Sequence, residues 1–169
     1  VSLWHSDEHE PFATMEVNGH QENQPLRSRA FRDFLDYSFY RSHEKAPNSQ
    51  ARQGAIDTLS GMARYDSLEH KVWTRIAEHN GSILLDLGDE DWKAVAIHPT
   101  GWTVITDPSV KFQRPKSVRP LPVPLHNGSV DDLRDFLNLD SDADWVLIQA
   151  WLVQSVFPSG PYPVLTLYG

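Results

Sequence analysis

The sequence predicts an α+β fold, in which an antiparallel meander and a helical hairpin are followed by a proline-rich strap, two short helices and a C-terminal strand. Three observations predict this class. Apolar residues recur at helical spacing between Ser28 and Arg64, they alternate with polar residues between Lys71 and Thr106, and prolines then interrupt the chain. The two periods occupy separate parts of the chain, and such segregation of helices from strands is typical of α+β proteins.

The first predicted element is a pair of short strands, Val1–His5 and Phe12–Val17, around the polar turn Ser6–Glu10. Aromatic and β-branched residues suit a half-buried pleated surface. Asn18-Gly19 then marks a turn.

Two amphipathic helices follow, and their short connection predicts a helical hairpin. Ser28 is placed to cap the first helix, and the second starts at Pro47-Asn48-Ser49 and runs to about Arg64. The apolar stripe of the first helix is Phe31, Phe34, Leu35 and Phe39. The stripe of the second is Ala51, Ala55, Ile56, Leu59, Met62 and Ala63.

Residues 71–106 form the predicted meander, because apolar and polar side chains alternate there with period two. Asn80-Gly81 favours a tight hairpin turn, and Pro99-Thr100-Gly101 joins a second hairpin. The four predicted strands are Lys71–Glu78, Ser82–Leu87, Ala94–His98 and Trp102–Thr106.

The strap, residues 107–127, contains five prolines and is predicted to be an extended, basic linker. Ser129 caps a short helix beyond it, with Leu133, Phe136 and Leu137 as its buried side. Ser141 caps the next helix, whose stripe is Trp145, Ile148, Trp151, Leu152 and Val156.

The chain divides into a predicted α+β domain at 1–106, the strap at 107–127, and a helical segment with a strand at 128–169. That strand, Tyr162–Gly169, is apolar and ends in a glycine. It has no neighbouring strand nearby in the sequence. We therefore expect it to be frayed or to pair elsewhere, for example with another copy of the chain.

Composition excludes several classes of protein. The chain has no cysteine, which rules out a disulfide scaffold and a thiolate metal site. No apolar run is long enough to cross a bilayer, and the first residues do not resemble a signal peptide, so we expect a cytoplasmic protein without a membrane partner. The net charge of −8 does not indicate a general nucleic-acid binder, although basic residues concentrate in the middle of the chain.

Six short blocks carry a resemblance to a known family. They are Leu26–Phe31, Arg75–Glu78, Leu85–Gly88 with Trp92, Gly101-Trp102, Phe112–Pro115 and Leu133–Asn138. In this order they resemble ATP-binding proteins of phage, prophage and plasmid origin, which are similar to the helicase half of phage primase-helicases. The resemblance covers nearly the whole chain. It implies an accessory region in front of a P-loop ATPase domain.

The end of the chain extends this resemblance. A helix, the Gly160-Pro161 turn, a strand and Gly169 resemble the entry to a Walker A loop, G-x-x-x-x-G-K-[ST], whose backbone N–H groups cradle phosphate. Gly169 is then the first Walker A glycine, and the other nucleotide-binding residues lie beyond it. The resemblance thus implies ATP and magnesium for the parent protein, and an inactive fragment with no catalytic residue or cofactor of its own. The alternative for Gly169 is an ordinary strand end.

A set of basic residues is the best functional signal in the chain itself. Its members are Arg27, Arg29, Arg32, Lys111, Arg114, Lys116 and Arg119. Clusters of this kind attract phosphate backbones, and Phe112 and Trp102 are candidates to stack on single-stranded bases, so single-stranded DNA is a candidate partner. The alternative is a solvated face, or arginines paired with acids elsewhere. Because related ATPases form rings, the resemblance also implies a homo-oligomer, in which Arg29 and Arg32 reach a neighbouring subunit.

Other polar clusters favour ordinary structural roles. His5, Asp7, Glu8 and His9 are metal-ligand types in a predicted exposed turn, and the acids at 89–91 are adjacent in another turn, so we expect both to be solvated. Asp86 points away from its leucine neighbours, and we expect it to pair with Arg75. The leading hypothesis is an ATPase accessory region, with a free-standing protein-interaction module as the alternative and a hydrolase with scattered carboxylates as the third.

Overall fold

The computed structural model describes residues 1–166, and residues 167–169 lie outside the described part. The α+β class is confirmed. The strands are β1 (Ser2–His5), β2 (Pro11–Val17), β3 (His20–Pro25), β4 (Val72–Trp73), β5 (Ile76–His79), β6 (Ser82–Asp86), β7 (Ala94–His98), β8 (Gly101–Ile105) and β9 (Lys111–Phe112). The helices are α1 (Arg29–His43), α2 (Ser49–Tyr65), a 3₁₀ helix (Val130–Phe136) and α3 (Asp142–Ser155).

The N-terminal sheet has the order β1-β2-β3 and is antiparallel throughout. The first two strands confirm the prediction, and Trp4 stacks on Phe12 with 4.4 Å between the ring centroids. The third strand was not predicted. It reads His-Gln-Glu-Asn-Gln-Pro, a polar edge in which Asn23 is the buried residue. Such a strand lacks the apolar alternation that marks a buried sheet face.

The two helices predicted as a hairpin pack on this sheet, a partner that the sequence did not specify, and both helices begin at capping residues. The Ser28 hydroxyl accepts a hydrogen bond from the Phe31 N–H at 3.1 Å, and the Asn48 side chain accepts one from the Gln50 N–H. The core here consists of Ala13, Met15, Leu26, Phe31, Ile56 and Ala63. Phe39 and Met62, which the helical stripes predicted to be buried, are exposed instead.

The meander is a four-stranded antiparallel sheet of order β5-β6-β7-β8. The first predicted strand, Lys71–Glu78, is divided between two sheets. Val72–Trp73 pairs in parallel with β9, and Ile76–His79 pairs with β6. One face of the meander packs with β9 in a second core of Ala77, Leu84, Trp92, Ala94, Ala96, Val110 and Phe112. The strap therefore supplies part of the meander's core.

Beyond β9 the strap crosses a face of the meander, from the end of β6 to β8. The Leu121 N–H donates to the Leu87 carbonyl at 2.7 Å, and His126 stacks on Trp102 with 4.1 Å between centroids. Backbone and ring contacts thus hold the proline-rich segment along much of its length.

The C-terminal helices are capped as predicted, but their packing differs from the prediction. Ser129 forms a capping box with Asp132, and Ser141 accepts from the Asp144 N–H. The first helix is a 3₁₀ helix that buries none of its residues, so Leu133 and Phe136 are exposed and Phe136 retains 83% of its surface. Leu137, predicted on the same buried side, is the half-buried residue that ends this helix.

Residues 162–166 of the predicted C-terminal strand form no strand, which corrects the prediction for that part; the remainder lies outside the described residues. Pro161 and Pro163 lack backbone donors. The carbonyl of Pro163 instead accepts a hydrogen bond from the Trp151 indole N–H at 2.9 Å. The segment is therefore anchored to α3 by a side chain.

Helix α3 buries Trp145 and Ile148, while Val146, Leu147 and Val153 are mostly exposed. Residues 145–166 contain no charged side chain. Even so, no helix within residues 1–166 combines the length and the apolar character needed to span a bilayer.

Candidate nucleic-acid interface

The three arginines at the start of α1 lie together on the surface. The Ser28 cap fixes where the helix begins, so Arg27 precedes the cap and Arg29 opens the first turn. The side chain of Arg29 is 86% exposed and lies 3.5 Å from Asp33, and that of Arg27 is 68% exposed and lies 4.0 Å from Asp57. Exposed pairs of this kind contribute roughly 0–1 kcal/mol, so a phosphate can compete for both guanidinium groups.

Arg32 is held by the same helix start. Its guanidinium donates to the carbonyls of Ser28 and Arg27 at 3.3 and 3.2 Å. A guanidinium group has five N–H donors, so these two bonds leave other donors of Arg32 free for a ligand. The sequence cluster therefore remains a spatial cluster, because all three residues belong to one capped helix end.

Aromatic residues lie farther along the same helix. Tyr37 and Tyr40 are both more than half exposed. Tyr37 follows Arg29 by eight residues and Tyr40 follows Tyr37 by three, and this spacing places all three residues on one helical face. The sequence analysis did not single out these tyrosines, although their helical spacing places them on the same face as Arg29.

The two aromatics predicted to stack on bases are placed differently. Phe112 is 1% exposed in the core of the meander, so the expectation that it offers a face to a base is wrong. Trp102 is half-buried, and one face of its ring is covered by His126.

Arg114, on the strap, is paired inside the fold. Its guanidinium contacts the carboxylate of Asp86, with 2.9 Å between Nε and Oδ2, and its centre lies 4.0 Å from the Trp92 ring centroid. It also donates to the Asp89 carbonyl oxygen. The expected Arg75 partner of Asp86 is thus corrected: Arg114 holds the carboxylate, because the strap returns to this edge of the meander.

Arg75 has a backbone role at the same place. It donates to the carbonyl oxygens of Asp86 and Arg119 at 3.0 and 2.9 Å. Together, the Arg114 and Arg75 contacts clasp the strap to the meander, and we call them the arginine clasp. Lys116 and Arg119 themselves are exposed on the strap.

Gly88 lies beneath the arginine clasp with a φ of +66°, in the left-handed region. An added Cβ there would lie 2.9 Å from the Val118 Cγ1 and 3.0 Å from the Arg119 carbonyl oxygen. Gly88→Ala is therefore expected to lower the free energy of unfolding by about 2 kcal/mol or more, from backbone strain and overpacking together. Chemical denaturation followed by circular dichroism measures the change.

Gly54→Ala in α2 is the matched control for Gly88→Ala. A Cβ at Gly54 meets nothing within 4 Å, so the same substitution is expected to raise stability by about 0.5–1 kcal/mol. Equal effects at the two glycines would contradict the role given to Gly88.

Lys111 lies on β9 at the junction of the meander with the N-terminal sheet. Its Nζ donates to the Thr14 hydroxyl oxygen at 3.0 Å and lies 5.7 Å from the centroid of the Trp4 ring. Burial lowers the pKa of Lys111, and the nearby charge of Asp107 partly opposes this. Lys111 and Arg114 are the half-buried members of the basic set. Within residues 1–166, Arg114 is paired with a carboxylate, whereas Lys111 has none within ion-pair distance.

A polar cleft of about 480 Å³ lies between the β2–β3 turn and the loops of the meander. Its lining includes Glu16, Asp91 and Asp107 with Lys93. The Lys93 ammonium donates to the Asp91 carboxylate at 2.5 Å and lowers the pKa of that carboxyl. The excess of acids disfavours phosphate at this cleft.

The turn at residues 6–10, which was predicted to be exposed, is partly buried. His5 and Ser6 are buried, and the Ser6 hydroxyl accepts from the N–H groups of Glu8 and Glu10, while Asp7, Glu8 and His9 are exposed. Within residues 1–166 no three histidine, aspartate or glutamate side chains are placed to hold a metal ion together.

Gly169, the predicted Walker A glycine, lies outside the described residues. Its role therefore stays a prediction from the sequence blocks. Comparisons with protein-family models, curated proteins and solved structures found no match to this chain.

Proposed function

We propose that this chain is a non-catalytic accessory region of a mobile-element P-loop ATPase of the helicase-like kind, acting in the cytoplasm, and that it positions single-stranded DNA for the motor. The ordered sequence blocks support the link to the ATPase. The arginine group at the start of α1 supports the contact with DNA, and it is the observation that carries the proposal.

The arginine group has the chemistry that a single strand requires. Arg27 and Arg29 present guanidinium groups whose acidic partners are themselves exposed, and the Arg32 guanidinium is held by backbone carbonyls. Guanidinium groups bind phosphate through paired N–H donors. Tyr37 and Tyr40 then offer aromatic faces along the same helix, and aromatic side chains stack on bases of any sequence.

The dimensions of α1 fit this arrangement. The helix has 15 residues, which corresponds to about 22 Å at 1.5 Å per residue. That length accommodates several nucleotides, in the range of site sizes of about 4–16 nucleotides found for other single-strand binders. A homo-oligomer formed through the ATPase domain would align several such helices.

A protein-interaction module is the second candidate function, and helix α3 favours it. A helix that is apolar all round is normally buried, yet Val146, Leu147 and Val153 are mostly exposed. The absence of charge from residues 145–166 is consistent with a protein partner at this surface.

Fluorescence anisotropy with a labelled oligothymidylate tests the DNA proposal. Binding is expected to weaken steeply between about 50 mM and about 200 mM salt, with a slope of about 0.7 per phosphate contact. Replacing Arg27, Arg29 and Arg32 together with glutamine is expected to weaken binding and to reduce that slope by about 2.

The matched control removes the same charge elsewhere, with Lys45, Lys93 and Arg134 replaced by glutamine. It is expected to change binding far less. No binding of the unmodified chain at low salt, or equal losses in the two triple variants, would remove the DNA proposal and leave the interaction module. The ATPase link is tested separately: a coding sequence without G-K-[ST] within the next several codons after Gly169 would overturn it.

A further inference from the structure

Helix α3 has two apolar faces, and one of them is covered within the chain. On the covered face Trp145 and Ile148 are buried, and the Trp145 indole N–H donates to the Asp131 carboxylate at 3.1 Å. Neither residue belongs to the core of the N-terminal sheet or to that of the meander. The helix packs instead against the 3₁₀ helix and the segment that contains Pro163.

The other apolar face of α3 is exposed. Its members follow one another in steps of four, three and four residues: Val146, Ala150, Val153 and Phe157. Val146 and Val153 are each 60% exposed, and Phe157, in the turn that follows the helix, is 43% exposed. This spacing is that of a seam along which two helices pack side by side.

Two grooves, of about 480 Å³ and about 600 Å³, lie beside this stripe. Leu147 and Leu165 line both grooves, so the grooves are continuous with each other. Leu147 is 68% exposed and forms a ridge between them. We call the stripe, Leu147 and the two grooves the α3 surface. A surface that carries both a ridge and grooves can pack against a copy of itself about a two-fold axis.

The α3 surface is uncharged, although the chain has a net charge of −8. Two copies that meet there keep their acidic regions out of the contact. Carboxylates begin at one end of the helix, where Asp142 and Asp144 occupy the first turn. Antiparallel pairing would separate the two acidic ends by the length of the helix, about 21 Å for its 14 residues. This exceeds the Debye length of about 8 Å at physiological salt, and antiparallel helix dipoles also attract each other.

The exposed area of the α3 surface is sufficient for a stable contact. A standard interface buries about 800 Å² on each partner. Apolar residues that are 43–90% exposed provide an area of this order on α3 and the segments beside it, namely Phe136, Val146, Leu147, Val153, Phe157 and Val164.

We propose that the α3 surface is a homodimer interface, in which two copies of this chain pair with their α3 helices antiparallel. Ala150 lies at the middle of the stripe, where its small side chain lets the two helices approach closely. Val146 of each copy then lies opposite Val153 of the other. The dimer rests on the protein-interaction module and names its partner as a second copy, and it is independent of the DNA contact at α1.

Analytical ultracentrifugation of the whole chain tests the dimer. We expect a reversible equilibrium between monomer and dimer. Leu147→Asp is expected to weaken dimerisation by at least about 100-fold, because the two-fold axis buries the new carboxylate twice. Circular dichroism checks that the variant remains folded.

Leu68→Asp is the matched control, since it changes a leucine that is 75% exposed in the connection between α2 and β4. It is expected to leave dimerisation unchanged. A chain that stays monomeric at millimolar concentration, or equal losses in the two variants, would overturn the dimer.

Thiol cross-linking tests the orientation, because the chain has no cysteine of its own. With a short bis-maleimide, Ala150→Cys is expected to link to its counterpart. Val146→Cys is expected to link to Val153→Cys in a mixture of the two variants, and to link poorly to itself. Efficient self-linking of Val146→Cys, without linking to Val153→Cys, would contradict the antiparallel arrangement.

The dimer and the DNA contact are measured separately. The triple glutamine variant at Arg27, Arg29 and Arg32 is expected to dimerise like the unmodified chain, and Leu147→Asp is expected to keep the affinity of each monomer for oligothymidylate. A monomeric chain that binds oligothymidylate would overturn the dimer alone. A dimeric chain that does not bind it would overturn the DNA proposal alone.

Discussion

Arg114→Met is expected to lower the free energy of unfolding by about 3–5 kcal/mol, because it leaves a buried carboxylate without its partner. Asp86 is 1% exposed, and the Arg114 guanidinium contacts both of its carboxylate oxygens. The substitution also removes the Arg114 stack on Trp92. Denaturant unfolding at neutral pH, followed by circular dichroism, measures the loss.

A double-mutant cycle shows how much of this loss belongs to the ion pair. Asp86→Leu combined with Arg114→Met removes both charges. The double variant is expected to be clearly more stable than the sum of the two single losses predicts. Arg134→Met is the matched control, since the Arg134–Asp142 pair at 2.6 Å lies on the surface and is expected to contribute at most about 1 kcal/mol. Similar losses at Arg114 and Arg134 would contradict the importance given to the arginine clasp.

Phe112→Ala is expected to lower the free energy of unfolding by about 3–5 kcal/mol, because it opens a cavity in the core of the meander. The ring is 1% exposed and packs with Trp92, Val110 and residues of three meander strands. The same denaturant titration measures the effect.

Phe136→Ala makes the same chemical change on the surface, where the ring is 83% exposed. It is expected to change stability by no more than about 0.5 kcal/mol. If Phe112→Ala instead left stability unchanged and weakened binding of a single strand, Phe112 would belong to the interface and its assignment to the core would fail.

Local signals made most of the helices and hairpins predictable. Ser28, Asn48, Ser129 and Ser141 each cap the helix that follows, and Asn80-Gly81 turns the first meander hairpin. These features depend on neighbours within four residues along the chain. The parallel pairing of β4 with β9 and the polar strand β3 were not predictable, because tertiary contacts specify them.

The candidate sites divide in the same way. Arg27, Arg29 and Arg32 stay together because one capped helix start carries them. Lys111 and Arg114 are close in the sequence, yet they bind Thr14 and Asp86, which lie on different sheets.

The parallel pairing of β4 with β9 implies an order of folding. Residues 74–110 lie between the two strands, so the pairing closes a long loop, whereas the hairpins of the meander close short ones. We expect the hairpins to form within microseconds to milliseconds and the β4–β9 pair to close after them. Because Lys111 reaches Thr14 and Trp4 only after this closure, the Lys111–Thr14 hydrogen bond between β9 and the N-terminal sheet is expected to be absent from partly folded chains.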